Sequence, residues 1–244
     1  MEAGRYLKKE EREINAFLNQ CKRGTVYANG YGMTETCSTL CCTTNELYKE
    51  GSIGIPMPKT NVKVINIDDG TELPYGEIGE LCFCTPNMMI GYYHNTQATK
   101  DVILTDMQGQ RWLRTGDLGI VDEDGFTYIK GRIKRIYITR DKDGTAYKLF
   151  PQRIEELLCS HDRVEKCGVI VQKDKKRMNA PLAFVTLNTC NSDQSAIIAE
   201  LLRYVKMELA EYEQPISIHI LDTMPMTASG KIDYRALEKE AEEK

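Results

Sequence analysis

A tyrosine between two glycines, followed by a hydroxyl and a carboxylate, constrains this chain more than any other stretch. Residues 30–35 are Gly-Tyr-Gly-Met-Thr-Glu, and the apolar run 25–28 precedes them. Such a change from β-branched and aromatic residues to glycines indicates a strand that ends in a tight loop. Glycine lets a backbone approach a ligand closely, and a carboxylate can bind Mg²⁺. The stretch suits a nucleotide, although a plain glycine turn in which Thr34 or Glu35 caps a helix explains it more simply.

Residues 112–119 form a second dense stretch, Trp-Leu-Arg-Thr-Gly-Asp-Leu-Gly. An apolar run, a Glu-Asp-Gly turn and a second apolar run follow, which predicts a β-hairpin. We expect Asp117 just before the first strand, where its carboxylate can accept two hydroxyl hydrogen bonds of the kind that a ribose offers. An aspartate in an ordinary Gly-Asp turn is the alternative interpretation.

Two basic stretches lie further along the chain. Residues 131–134 are Gly-Arg-Ile-Lys, and the planar guanidinium of Arg132 suits ribose and phosphate oxygens. Residues 227–231 are Thr-Ala-Ser-Gly-Lys, and on an open loop Lys231 can bring positive charge to a phosphate that develops negative charge. Each stretch also has a plainer interpretation. Residues 131–134 can be the start of a strand that faces solvent, and residues 227–231 can be an ordinary solvated loop.

Four stretches, in one order, resemble the motifs of the adenylate-forming (AMP-binding) superfamily: residues 30–35, 114–117, 131–134 and 227–231. This family contains acyl- and aryl-CoA synthetases, luciferases and the adenylation domains of peptide synthetases. The resemblance implies an α+β fold with two parts. Residues 1–132 would be the end of the large adenylation domain with a distorted β-barrel subdomain, and residues 133–244 a small, mobile α+β C-terminal lid domain.

The resemblance also implies a two-step reaction. A small-molecule carboxylate attacks the α-phosphate of ATP, giving an acyl-adenylate and pyrophosphate. The acyl group then passes to a thiol. This thiol belongs either to coenzyme A or to the phosphopantetheine of a carrier protein. Chemistry of this kind depends on positioning and charge neutralisation more than on covalent catalysis.

Five residues match the family's nucleotide-binding positions. Tyr31 would stack on adenine, with Gly30 beside the edge of the base, and Thr34 would contact phosphate. Asp117 would hold the ribose with the help of Arg132. The resemblance therefore implies one AMP site built from segments that are far apart in sequence.

Three further residues match positions with other roles. Glu35 would bind Mg²⁺, and Lys231 would be the catalytic residue that stabilises charge at the α-phosphate. Lys134 would be the hinge about which the lid domain rotates, withdrawing Lys231 after adenylation.

The resemblance covers only the C-terminal half of a family member. The family's phosphate loop, rich in Ser, Thr and Gly, and most of its acyl pocket lie upstream of the residues present here. We therefore expect a fragment of a ligase; the alternative is a non-catalytic truncated product, or a weak nucleotide-binding module that needs a missing N-terminal half.

Residues 1–45 are expected to be the least stable region, because the segments that surround them in the family are missing. Residues 140–146 contain one glycine where many relatives have a pair, which argues against thioester formation from coenzyme A.

Composition excludes several other classes. The 244 residues include 32 basic and 36 acidic side chains, so the net charge of −4 does not suggest a nucleic-acid partner. No apolar run approaches the ~20 residues of a membrane span, and no signal peptide is evident, so we expect a cytoplasmic protein without a membrane partner. Nine cysteines lack the spacing of a zinc site, which predicts reduced, mostly buried thiols.

Hydrophobic periodicity supplies a coarse secondary structure. Helices are predicted at residues 5–20, at 97–102 with Thr96 as the cap, from Pro151, from a Ser192 cap to about Leu209, and from Tyr234. Strands are predicted at 62–67, 81–84, 136–139, 147–150, 164–171, 182–187 and 216–220, with a surface turn at 172–179.

Overall fold

The computed structural model of the chain describes residues 8–21, 28–188 and 193–242. The chain divides into two compact units, one ending at Lys134 and the other beginning at Arg135. Both units combine helices with mainly antiparallel sheets, so the α+β class is confirmed.

In its described part the first unit contains two helices and eight strands. They are α1 (Lys8–Gln20), β1 (Gly30–Met33), β2 (Ser38–Cys42), β3 (Ile55–Pro56), β4 (Asn61–Ile65), β5 (Gly79–Cys84), α2 (Thr96–Val102), β6 (Ile103–Thr105), β7 (Arg111–Val121) and β8 (Thr127–Arg132). Short 3-10 turns cover Thr34–Thr36 and Ile133–Arg135.

These strands form two antiparallel sheets. One has the order β1-β2-β3, and the other the order β4-β5-β7-β6 with β8 also paired to β7. Thr127 joins the two sheets through backbone hydrogen bonds to Ile53 (2.8 Å) and Gly54 (2.9 Å). Within the described residues the strand order does not close on itself, so the subdomain expected to be a distorted barrel is an open, irregular sheet.

The Gly-Tyr-Gly motif lies in a strand, and the prediction of a tight loop there is wrong. β1 pairs with β2, and the register shifts between Tyr31 and Gly32. A Cβ on Gly32 would lie 2.4 Å from the carbonyl oxygen of Ser38, so only glycine allows these strands to approach so closely. The strand predicted at 25–28 lies, except for Ala28, outside the described residues.

The ends of the first unit's helices differ in part from the predictions. Asn95, and not Thr96, caps α2, because its side chain accepts a hydrogen bond from the Ala98 backbone N–H at 3.0 Å. On α1, the apolar side chain of Phe17 is 64% exposed. Among the side chains of α1 whose burial the structure describes, from residue 11 onwards, Glu11 is the buried one, and it accepts a hydrogen bond from the Gly51 backbone N–H at 3.1 Å.

The second unit contains three helices and five strands in its described part. They are β9 (Tyr137–Arg140), β10 (Ala146–Leu149), α3 (Pro151–Cys159), β11 (Val164–Asp174), β12 (Met178–Leu187), α4 (Gln194–Glu208), β13 (Ser217–Ile220) and α5 (Tyr234–Glu242). β9 and β10 form the predicted hairpin, and β11-β12-β13 form a sheet in which β13 runs parallel to β12.

Apolar periodicity located the second unit's helices well. Ile197, Leu201 and Val205 form the buried stripe of α4, as predicted. Asp193 caps this helix by accepting from the Ser195 backbone N–H at 2.9 Å, whereas the predicted cap, Ser192, lies outside the described residues. The predicted surface turn at 172–179 is confirmed but is shorter than expected: it covers residues 175–177, because the β11–β12 ladder continues as far as the pair Asp174 and Met178.

The described residues also answer two questions raised by composition. None of their helices has the length and apolar character needed to cross a membrane. Their eight cysteines are free thiols, and four of these are buried: Cys41, Cys82, Cys159 and Cys167.

Candidate functional site

Asp117 lies within β7, so its predicted place just before the strand is wrong. The β5–β7 register runs from Glu80 opposite Leu118 to Cys82 opposite Arg114, which leaves β7 with two extra residues between these pairs. Gly116, in this interval, has φ of +69°, a left-handed conformation that glycine adopts without strain. Bulges of this kind redirect side chains and occur often beside active sites.

The Asp117 carboxylate brings together two residues that are distant in sequence. The Tyr31 hydroxyl donates to Oδ2 at 2.6 Å, and Arg132 Nε lies 2.8 Å from Oδ1. Arg132 is the cross-strand partner of Asp117 on β8, and its Nη1 donates to the Thr115 carbonyl at 3.2 Å. The Asp117 side chain is 5% exposed and that of Arg132 is 31% exposed, so the arginine end of this cluster reaches solvent. We call Tyr31, Asp117 and Arg132 the carboxylate cluster.

The ring of Tyr31 is part of the core. The residue is 3% exposed, and its ring centroid lies 6.0 Å from that of Phe83. Burial, together with the negative charge of Asp117, raises the pKa of Tyr31 above its usual value. Its hydroxyl therefore keeps its proton and donates to Asp117.

A second buried carboxylate holds the bulge in place, and the sequence analysis missed it. Glu80, on β5, receives hydrogen bonds from Arg114 Nε (2.8 Å) and from the Gly116 backbone N–H (3.0 Å). The pKa of Arg114 is raised, chiefly by its hydrogen bond to Glu80. The signal that could have revealed this pair is an acidic residue in an apolar strand, which needs a cation or several N–H groups when buried.

Thr34 and Glu35 follow β1 in the 3-10 turn at Thr34–Thr36. The Tyr92 hydroxyl donates to Glu35 Oε1 at 2.8 Å, and the Met89 backbone N–H donates to the Glu35 carbonyl at 2.7 Å. Burial, and then the hydrogen bond to Glu35, raise the pKa of Tyr92 to about 12. Thr34 is exposed, and Gly30 pairs with Cys42 in the sheet.

Lys231 belongs to the second unit and closes a tight turn instead of lying on an open loop. The Thr227 backbone N–H donates to the Lys231 carbonyl at 2.6 Å, and the Gly230 N–H donates to the Thr227 carbonyl at 2.9 Å. Gly230 has φ of +78°. We call residues 227–231 the lysine turn. Lys134 is exposed and is the last residue of the first unit.

Comparison with known families accounts for both units. The model of the AMP-binding enzyme matches residues 11–93, in the first unit. The model of the AMP-binding enzyme C-terminal domain matches residues 153–231, in the second unit. Together these matches cover more than half of the chain.

Curated relatives are acid–thiol ligases. The 2-succinylbenzoate–CoA ligase of Bacillus licheniformis is 32% identical over 220 residues, which are 89% of this chain and 42% of the relative. The probable 4-coumarate–CoA ligase 3 of Dictyostelium discoideum is 34% identical over 222 residues, which are 90% of this chain and 38% of the relative. The chain thus spans about two fifths of the length of these relatives.

Solved structures agree with these sequence relatives. The o-succinylbenzoate CoA synthetase of Bacillus subtilis, in complex with its acyl-adenylate intermediate, superposes with a TM-score of 0.76 at 31% identity, over 97% of this chain and 45% of that one. ATP-bound MatB from Rhodopseudomonas palustris superposes with a TM-score of 0.80 at 26% identity, over 96% and 43%. The fold is that of adenylate-forming ligases, and the chain belongs to the AMP-binding enzyme family.

Proposed function

We propose that this chain supplies the AMP-binding and lid portions of an ATP-dependent acyl-adenylate-forming ligase. The carboxylate cluster is the observation that supports the proposal most strongly. Its three residues come from three of the four motifs that resemble the family's, and they meet at one carboxylate. A buried carboxylate beside a partly exposed guanidinium offers the acceptor and donor groups that ribose hydroxyls need.

The reaction joins a small-molecule carboxylic acid to a thiol. A carboxylate oxygen bonds to the α-phosphorus of ATP, and the bond to pyrophosphate breaks. The thiol sulfur then bonds to the acyl carbon, its proton is lost, and AMP leaves. We propose coenzyme A as the thiol, because the relatives named above are CoA ligases. The single glycine at residues 140–146 is the argument against coenzyme A, and a phosphopantetheine carrier is the other acceptor with the required chemistry.

In this proposal Asp117 and Arg132 hold the ribose, Thr34 donates to a phosphate oxygen, and Gly30 lies beside the edge of the adenine. Tyr31 acts on the ribose site through its hydrogen bond to Asp117. Stacking of the Tyr31 ring on adenine would also require one face of that ring to be uncovered, because the residue is buried.

Mg²⁺ fits Glu35 only together with a nucleotide. Among the described residues, no group of three or more His, Cys, Asp or Glu side chains could hold a metal ion. Magnesium is commonly bound by one or two carboxylates together with substrate phosphates and water. Glu35 can supply one such carboxylate, oriented by its hydrogen bond from Tyr92. When bound there, the ion would neutralise phosphate charge.

Lys231 is the proposed catalytic residue, since its ammonium can stabilise negative charge at the α-phosphate during adenylation. Lys134 is the proposed hinge, because it ends the first compact unit. Rotation there would change which face of the second unit meets the nucleotide between the two half-reactions.

A second candidate is a nucleotide-binding fragment without catalysis. The observation in its favour is that the chain spans only about two fifths of its relatives. Calorimetric titration with ATP and AMP, combined with the activity assay below, separates the two: binding without pyrophosphate exchange would favour the fragment.

The test is exchange of labelled pyrophosphate into ATP in the presence of candidate carboxylic acids. In a complete active site, Lys231→Ala should abolish the exchange yet leave thiolation of a supplied acyl-adenylate unchanged. Lys239→Ala, which removes an exposed lysine from α5, is the matched control and should retain exchange. Equal exchange by Lys231→Ala and the native chain would contradict the assignment.

A further inference from the structure

A buried polar cluster lies beside the lysine turn. Arg135 donates from Nη2 to Glu155 Oε1 at 2.8 Å and from Nη1 to Oε2 at 3.2 Å. The Tyr234 hydroxyl donates to the same Oε1 at 3.0 Å, and the Arg135 guanidinium lies 4.0 Å from the centroid of the Tyr234 ring. The Glu155 side chain is 8% exposed and that of Arg135 is 22% exposed. We call these three residues the anchor cluster.

The anchor cluster joins four segments of the second unit. Arg135 is the unit's first residue, Glu155 is on α3, and Tyr234 begins α5, shortly after Lys231. β11 takes part through Val169, whose backbone N–H donates to Glu155 at 2.9 Å and whose carbonyl accepts from Arg135 at 2.9 Å. Glu155 is thus the common acceptor for the segment after Lys134 and the segment after Lys231.

Apolar packing fixes the same stretch of chain from another side. A Cβ on Gly168 would lie 2.7 Å from Leu237 and 3.2 Å from Ile232, so the chain just after Lys231 rests directly on β11. Met226 and Ile232 also form a β-bridge across the base of the lysine turn. The backbone on both sides of the turn is therefore attached to the sheet.

Burying a charged pair stabilises a protein less than apolar packing of the same volume would, but it fixes geometry more sharply. Hydrogen bonds to one carboxylate are directional, and each donor here comes from a different segment. An apolar cluster would tolerate small shifts of Tyr234 along α5, whereas the hydroxyl bond to Glu155 tolerates much less.

We propose that Tyr234, through Glu155 and Arg135, is a positioning residue for Lys231. The anchor cluster holds the lysine turn in a fixed place relative to the first residue after Lys134, so that the ammonium group and the chain leaving the hinge move as one body. The proposal rests on the proposed function insofar as Lys231 is the catalytic residue.

Hydrogen exchange on the full chain tests the positioning directly and needs no activity. Tyr234→Phe removes the hydroxyl and keeps the ring over Arg135. The amides of Thr227, Gly230 and Lys231 should exchange about tenfold faster, while those of α4 keep their protection. Tyr204→Phe, which removes a hydroxyl bonded to Ser160 elsewhere in the unit, should leave the lysine turn unchanged. Unchanged exchange in Tyr234→Phe, or a uniform increase over the whole unit, would overturn the proposal.

The half-reactions supply a readout that a general loss of stability would not give. In Tyr234→Phe, kcat for pyrophosphate exchange should fall about tenfold with KM for ATP unchanged, and thiolation of a supplied adenylate should proceed at the native rate. Equal losses in both half-reactions would overturn the proposal. If the native chain shows no exchange at all, it is the proposed function that fails, and hydrogen exchange still decides whether the anchor cluster fixes the turn.

Discussion

Two arginines three positions apart form very different ion pairs, one in each unit. Arg132 pairs with Asp117 on a bulged strand. Arg135, at the end of a 3-10 turn, pairs with Glu155 on the regular helix α3, and Glu155 also receives hydrogen bonds from Val169 and Tyr234. The Arg132 side chain is 31% exposed and that of Arg135 is 22% exposed. The more exposed pair suits the ligand-binding role proposed for it, and the pair with more hydrogen-bond donors suits the proposed positioning role. Similar side chains thus serve different purposes because their backbones differ.

The largest effect on the free energy of unfolding should come from breaking the Arg135–Glu155 pair in the second unit. Glu155→Ala leaves the Arg135 cation buried without its carboxylate, and should lower the free energy of unfolding of the second unit by about 3–5 kcal/mol. Native-state hydrogen exchange of α4 measures this quantity, because its amides report unfolding of that unit. Glu238→Ala, at an exposed position on α5, should have little effect. A loss below about 1 kcal/mol in Glu155→Ala would remove the distinction between an organising pair and a ligand-binding pair.

Breaking the Asp117–Arg132 pair should have an intermediate effect on the free energy of unfolding. Asp117→Ala should lower the free energy of unfolding of the first unit by about 2 kcal/mol, less than Glu155→Ala, because Arg132 is partly exposed and regains water. Exchange of the β7 amides provides the measurement. The same variant should lose detectable AMP binding in calorimetry, a change that Glu155→Ala should not cause. If Asp117→Ala destabilises its unit more than Glu155→Ala destabilises the second unit, the expected order of the two ion pairs is wrong.

The smallest effect should come from the Tyr31 hydroxyl. Tyr31→Phe loses one hydrogen bond to a carboxylate, which costs about 1.5 kcal/mol. Because the folded-state pKa of Tyr31 is raised above the unfolded value of about 10, its contribution is complete below that pH and is lost as the pH rises towards the folded pKa. The variant should therefore show a shallower alkaline loss of stability in the first unit. An identical pH profile in both proteins would show that Tyr31 does not donate to Asp117.

Much of the second unit could be predicted from sequence because its signals are local. Pro151 at a helix start and the apolar stripe of α4 depend on neighbours within one or two turns. The caps show the limit of such reasoning. Thr96 and Asn95 are both good capping residues, and only the backbone conformation at each position decides which of them caps α2.

The carboxylate cluster could be predicted as a set of residues but not as a geometry. Four short motifs in order identified Tyr31, Asp117 and Arg132 together. The bulge that turns Asp117 inwards depends on how β7 aligns with β5, which is a long-range property that no local pattern encodes. β1 was missed for a similar reason, since Gly-Tyr-Gly becomes a strand only because β2 pairs with it.

The two extra residues in β7 have a consequence for how this segment can change in length. Side chains alternate between the faces of a sheet with a period of two. Deleting one residue between Arg114 and Leu118 would reverse the faces of the residues that follow, so Val121, now in the core with Leu81 and Phe83, would point to the opposite side of the sheet. Deleting both would restore an unbroken ladder with β5 and abolish the inward carboxylate, while the residues that follow would keep their faces. Insertions and deletions between Arg114 and Leu118 should therefore be tolerated only when they change the length of β7 by an even number of residues.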